Sequence, residues 1–276
     1  MANKIDLKTT LIFSIFIVLT VVLSFLGFNS SHSESEISEA TGFSIEEYIN
    51  QQKKSLNKQD ATVVSALEAD LKSSRGTAKT DILLKLSEKW QQADKLPVAA
   101  YYNHQLAHLN PSKQTWETAA NSLFNSLSQI QDSITSVYYY SQAEEAYNHL
   151  LELDPDNTQA KINLAVCLVD YKQQVMQGVQ MLKQVVEEDE NNEQAIYILG
   201  LLSIRSTQYD KALERFEKLV SLQPENPEYR ILLGNVLSTL GEKDKAIQSY
   251  EAAIPLLNDE EAVEKVNNII KDIKKN

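Results

Sequence analysis

Residues 150–165 read LLELDPDNTQAKINLA, and residues 219–234 read LVSLQPENPEYRILLG. Both stretches run from an apolar helix end into a proline turn, then to an asparagine, then into a new apolar helix that closes on a small residue. Proline cannot continue the first helix, and asparagine is suited to cap the second. Stepping back 34 residues from Pro224 meets Glu190 in EEDENN, and 35 more reach Pro155. Other features keep the same phase. Ala165, Gly200 and Gly234 recur in the first helix of each unit, and Ala99, Ala143, Gly178, Ala212 and Ala246 in the second. Large residues recur at Tyr147, Leu182, Phe216 and Tyr250, and again at Leu106, Leu150, Val185 and Leu219, with Ala253 in the last unit. Self-similarity at this period marks an array of helical hairpins.

Two antiparallel helices approach closely where each carries a small side chain. Gly200 and Ala212 are therefore expected to face each other, with Leu199, Tyr209 and Phe216 filling the space around them. One hairpin cannot bury both of its faces, so the next stacks on it, and the array becomes a solenoid. The expected fold class is all-α.

On these residues the chain resembles the tetratricopeptide repeat (TPR) family. The unit at 193–226, EQAIYILGLLSIRSTQYDKALERFEKLVSLQPEN, carries the family pattern in Leu199-Gly200, Tyr209, Ala212, Phe216, Leu219, Leu222 and Pro224. The unit at 227–260 matches through Leu233-Gly234, Ala246, Tyr250 and Ala253, and that at 159–192 through Leu164-Ala165, Leu168 and Gly178. A unit at 114–157 opens on Trp116-Glu117-Thr118-Ala119-Ala120 and holds roughly ten extra residues around SLSQIQDSITSVYYY, so longer helices are expected there. A looser unit at 80–112 rests on Leu83, Leu86, Ser87, Trp90, Ala99 and Leu106. The resemblance thus covers about two thirds of the chain and implies a right-handed superhelical solenoid over 80–260. Residues 261–276 place Val263, Val266, Ile269, Ile270 and Ile273 on one stripe, which predicts a capping helix that closes the array.

The preceding residues read differently. Residues 11–28, LIFSIFIVLTVVLSFLGF, carry no charge, and Thr9 and Thr10 extend the run to about the length of a bilayer span. Lys4 and Lys8 precede it, and no Lys or Arg follows until Lys53. The positive-inside bias then predicts a transmembrane helix at 9–28 with residues 1–8 cytoplasmic. Inner-membrane anchoring with a periplasmic or other extracytoplasmic body is the expected localisation. A cleaved signal peptide competes, although SFLGFNSS offers no small-x-small site. Residues 29–43 are rich in Ser and Glu and read as a solvated tether. Ser44 to Glu47 has capping-box spacing, and helices are expected near 45–57 and 61–73 within a helical N-terminal segment at 44–79.

The net charge of −12 among 276 residues argues against a nucleic-acid partner, which would need clustered Lys and Arg. The single cysteine, Cys167, lies in the apolar run NLAVCLV, where it reads as a small buried hydrophobe. No phosphate-binding glycine loop, no GxSxG and no EF-hand spacing occurs. Neither a cofactor nor an enzymatic activity is expected. His104 and His108 sit at i and i+4 on a second helix, a spacing that suits one metal ion. With no third ligand adjacent in sequence, they are expected to be solvated surface histidines. Tyr138-Tyr139-Tyr140 is expected to pack into the enlarged repeat, with a sticky partner surface as the alternative.

The resemblance also implies that first helices line a concave, peptide-binding groove. Its residues here are Ile162, Val166 and Val169, then Tyr197, Leu201 and Ile204, then Ile231, Asn235 and Ser238. Family members that grip an acidic C-terminus use Lys and Asn at such places, and this chain has Ile162, Tyr197 and Ile231. An apolar groove predicts a hydrophobic or amphipathic segment of a partner protein. Helices at 45–73 folding back into it, or a second copy of the chain in a homo-oligomer, are the alternatives. The expected function is a noncatalytic scaffold or chaperone-like adaptor of the cell envelope. The resemblance extends to TPR proteins that hold a client polypeptide in cytochrome c maturation or protein export.

Overall fold

The structure is a computed structural model that describes residues 42–170 and 174–275. Among the described residues every regular element is helical. The chain runs α1 (Ile45–Lys53), α2 (Lys58–Ser73), α3 (Thr77–Gln92), α4 (Leu96–Leu109), α5 (Lys113–Ser126), α6 (Ser133–Leu153), α7 (Thr158–Asp170), α8 (Val175–Glu188), α9 (Glu193–Arg205), α10 (Tyr209–Leu222), α11 (Pro227–Thr239), α12 (Lys243–Ala253) and α13 (Glu260–Lys275). Short 3-10 turns follow α5 at Leu127–Gln129 and α12 at Ile254–Leu256.

The repeated sequence folds into a repeated junction. The Oδ1 atoms of Asn157, Asn192 and Asn226 accept from the backbone N–H groups of Ala160, Ala195 and Tyr229 at 3.0, 3.0 and 3.4 Å. Each bond satisfies a donor that the first turn of a helix leaves unpaired. The N–H groups of the same three asparagines donate to the carbonyls of Asp154, Asp189 and Gln223 at 3.1, 3.0 and 3.1 Å. Glu190 therefore does the work of a proline at its position, because the junction is held by its asparagine and its backbone.

Within hairpins the turn is equally regular. The N–H groups of Lys95, Gln208 and Glu242 reach back to the carbonyls of Trp90, Ser203 and Leu237 at 2.9, 2.8 and 2.9 Å. The residue before each donor turns through positive φ: Asp94 at 55°, Thr207 at 58° and Gly241 at 83°. Glycine tolerates that region, whereas β-branched Thr207 is strained in it.

Helix spacing is set by missing Cβ atoms. A Cβ on Gly200 would lie 2.9 Å from Cζ of Phe216, and one on Gly234 would lie 2.7 Å from Cε1 of Tyr250. Each glycine thus receives an aromatic ring of its partner helix. The nearest atoms to such a Cβ on Gly200 all belong to the Phe216 ring, which was expected beside this crossing. Full burial of Phe216 contributes roughly 2–3 kcal/mol.

The enlarged repeat lengthens one helix rather than two. α6 has 21 residues and α5 has 14. The extension carries Tyr138 and Tyr139, both buried as expected, and the Tyr139 hydroxyl donates to the Pro97 carbonyl at 2.8 Å. Phe43 and Tyr48 lie against these rings, with centroids 4.8 Å from Tyr138 and 6.2 Å from Tyr139 respectively. α2 packs on α3, and the Tyr102 hydroxyl of α4 donates to Glu68 at 3.2 Å. Helices α1 and α2 therefore close the N-terminal end of the array and join its core. Ser44 does cap α1, accepting from Glu47 N–H at 3.3 Å. A reciprocal capping box stands instead at Ser112 and Thr115, opening α5. At the other end, Val266 and Ile270 of α13 bury against Leu237 and Tyr250, while Ile269 stays partly exposed.

The expected localisation is corrected here. Among the described residues no helix is long and apolar enough to cross a membrane. Even α6, the longest of them, carries Glu144 and Glu145 amid Ser, Gln and Asn side chains. The span expected at 9–28 lies outside the described residues.

Candidate functional site

Two sets of residues stand out, one on the first helices of the C-terminal hairpins and one on the second helices near the N-terminal end. The residues expected to line a groove divide into two groups. Ile162 is buried with Leu182, Val185, Ala195 and Leu199. Val169 is buried too, its Cγ2 filling the space that a Cβ on Gly178 would take. Both serve the junction of α7 with its neighbours, so the structure removes them from any open surface. Val166 is half-buried.

The others keep access to solvent. Tyr197, Ile204, Ile231 and Ser238 are half-buried, and Leu201 and Asn235 are exposed. The Tyr197 hydroxyl donates to Glu228 at 2.6 Å and its ring lies 5.9 Å from that of Tyr229. That hydrogen bond, with some burial, pushes the phenol up to about 12. Asn235 accepts from the Tyr250 hydroxyl at 2.6 Å, which ties a first helix to its second. Helices α1 and α2 pack against α3, α4 and α6, and the apolar cluster that holds Tyr197 includes no residue of theirs.

The second set centres on α4. His104 is not a surface residue: its ring is 2% exposed, beneath Trp116 of α5 and beside His108. Glu145 of α6 reaches between the two imidazoles, its carboxylate 3.7 Å from Nε2 of His104 and 3.4 Å from Nε2 of His108. One ligand atom from each of the three lies within 4.8 Å of the other two. His149, one turn beyond Glu145, stacks on Trp116 at 4.4 Å and approaches His108 at 6.5 Å between centroids. Burial pushes the His104 pKa down to about 4, against the pull of Glu145, so its ring is neutral at pH 7. Burial works to raise the Glu145 carboxyl, but its hydrogen bond with His108 and the neighbouring imidazoles outweigh that and leave it below its ordinary value. The expectation of a solvated histidine therefore fails for His104 and holds for His108, which is exposed. Helices α4 and α6 are second helices of successive hairpins, and their stacking supplies the carboxylate that no neighbour in sequence does.

Cys167 is buried and unpaired with another cysteine, and burial raises its thiol pKa. A mostly polar cleft of about 340 Å³ lies between α1 and the turn before α4, lined by Tyr48, Gln52, Asp94, Lys95, Pro97, Val98 and Gln129.

Stacked hairpins of this period, with an apolar stripe along their first helices, define a protein-interaction scaffold. More particularly, two segments of this chain are similar to tetratricopeptide repeats. Residues 203–266 match the family model described as tetratricopeptide repeat, and residues 134–230 match the cytochrome c-type biogenesis protein H TPR domain. Among solved structures, residues 41 to the end of MamA from Desulfovibrio magneticus RS-1 share the fold at 21% identity. The TM-score is 0.52, covering 64% of this chain and 94% of that one. Another MamA structure gives 18% identity and a TM-score of 0.51 over 66% of this chain and 93% of its own. The human mitochondrial import receptor subunit TOM70 is 22% identical over 90 residues, 33% of this chain and 15% of the receptor. The human protein O-mannosyl-transferase TMTC1 is 26% identical over 140 residues, 48% of this chain and 16% of its own. The chain thus spans about one sixth of the length of these curated relatives.

Proposed function

We propose that the first helices α9 and α11 hold an apolar segment of a partner polypeptide, and that the protein acts as a noncatalytic adaptor. The observation that carries this reading is the stripe of Tyr197, Leu201, Ile204 and Ile231, four large apolar side chains on successive first helices that keep solvent access. Such a stripe loses water when a hydrophobic or amphipathic segment lies across it, and an aromatic anchor such as Tyr197 commonly dominates the binding energy. Tyr229 beside it and the Glu228 bond hold the ring in place, so little rotamer freedom remains to be lost on binding.

The test is a photo-crosslinking residue at Leu201 of the full chain in cells, with capture repeated in a Tyr197→Ala background. One dominant partner, lost in that background, supports the reading. Crosslinks confined to other residues of the same chain, or unchanged by Tyr197→Ala, overturn it.

A narrower second reading rests on the match of residues 134–230 to the cytochrome c-type biogenesis TPR domain: the partner is an unfolded apocytochrome c held before haem attachment. Saturable binding of a labelled apocytochrome segment, weakened at least tenfold by Leu201→Asp, supports it. Absence of binding, alongside successful capture of a different partner, discards this reading and leaves the broader one standing.

A further inference from the structure

The histidine cluster has a feature that ordinary packing does not explain. Nε2 of His104 is buried and has no hydrogen-bond partner, the nearest carboxylate oxygen standing at 3.7 Å. A buried polar atom left unpaired is destabilising, and a partner supplied at that atom would offset this. Around it converge Nε2 of His108 and the Glu145 carboxylate, both less buried, with the His108 ring 44% exposed.

Two imidazole nitrogens and one carboxylate oxygen form a borderline donor set that suits zinc and its neighbours in the first transition row. Calcium or magnesium would demand more oxygen ligands than these residues provide. Thiolate is absent from the cluster. We propose that His104, His108 and Glu145 form a binding site for one divalent transition cation of the zinc class, with His149 or water in the fourth position.

The geometry is close to what such an ion needs. Tetrahedral zinc with bonds of 2.0–2.1 Å sets its ligand atoms about 3.3 Å apart. Here they lie within 4.8 Å, and His108 and Glu145 have the solvent-side freedom to close the remainder while buried His104 stays fixed. His149 sits at i+4 from Glu145, on the same face of α6, and needs only to leave its stack on Trp116 and its 3.3 Å contact with Glu152 to reach the ion. Approach is open from the side of His108 and His149. Once bound, the ion ties α4 to α6, two second helices that otherwise meet only sparsely.

Full-length protein stripped with a chelator and titrated calorimetrically with Zn2+ tests the proposal. One ion per chain is expected. His108→Ala and Glu145→Gln, both at less buried positions, should each weaken binding at least tenfold. Zn2+ should also raise the Tm of the parent protein and not that of either variant. Co2+ should give a visible d–d absorption band that both variants lose. A Glu187→Gln/Glu188→Gln variant controls for the exposed acidic run and should bind as the parent does. No stoichiometric uptake, uptake unchanged in both ligand variants, or uptake lost in the acidic-run control would each overturn the site.

Discussion

The two halves of the solenoid differ in how their cores are divided. From Phe43 to Leu168 a single apolar cluster runs through α1 to α7. Beyond it lie three smaller clusters, two formed where one hairpin meets the next and the last where the final hairpin meets α13. The C-terminal repeats are regular in length and keep only nearest-neighbour contacts, as quasi-one-dimensional arrays do. The N-terminal half adds two helices and lengthens α6, and these additions bridge hairpins that would otherwise touch only their neighbours. Most of the buried polar side chains, unpaired His104 among them, lie in the bridged half, with Ser203 and Ser249 in the other. α7 belongs to both regimes: Leu164, Cys167 and Leu168 face the large cluster, while Ile162 and Ala165 join the first small one.

The sharpest way to break this contrast is to cut a hole in the core on either side. Leu123→Ala and Phe216→Ala each remove a fully buried side chain and should cost about 2–5 and about 3–5 kcal/mol respectively. Their footprints should differ. Hydrogen exchange in Leu123→Ala is expected to accelerate together from α2 to α7, and in Phe216→Ala only from α9 onward. Cys167 sharpens the boundary, because its buried, pKa-raised thiol reacts only when α7 opens. Thiol labelling should therefore quicken in Leu123→Ala and stay slow in Phe216→Ala. Equal exchange footprints would abolish the distinction between the halves.

Smaller effects test the regular half alone. Gly200→Ala drives a Cβ into the Phe216 ring and should cost about 1–3 kcal/mol by overpacking, read from chemical denaturation. Asn157→Ala and Asn192→Ala each delete a cap and should each cost about 1 kcal/mol. A large inequality between them would show that the two junctions are not equivalent. Smallest, and opposite in sign, is Thr207→Gly. It relieves a β-branched residue at φ 58° and should raise stability by up to about 1 kcal/mol, seen as a higher Tm.

The hairpins were legible because their signals are local: a proline or acidic turn, a capping asparagine, and small residues at a fixed offset. What the sequence concealed depends on neighbours a whole repeat away. Ile162 and Val169 occupy groove positions by their phase, yet the structure buries them, since Gly178 draws α8 onto Val169 and α9 covers Ile162. The histidine cluster was half visible. HQLAH at 104–108 and EAYNH at 145–149 each place two ligand types at i and i+4. Only the stacking of second helices shows that the two faces meet, and the extra residues of the enlarged repeat hide the common register.

The junctions at Asn157, Asn192 and Asn226 share one hydrogen-bond pattern at intervals of 35 and 34 residues. That makes the length of the C-terminal arm an adjustable property. A chain cut after Asn157 and rejoined after Asn192 loses one whole hairpin and still meets the turn it expects. Duplicating the segment between Asn192 and Asn226 extends the reach of the arm, and the N-terminal assembly with its histidines stays untouched. In such a molecule, span and chemistry can change independently of each other.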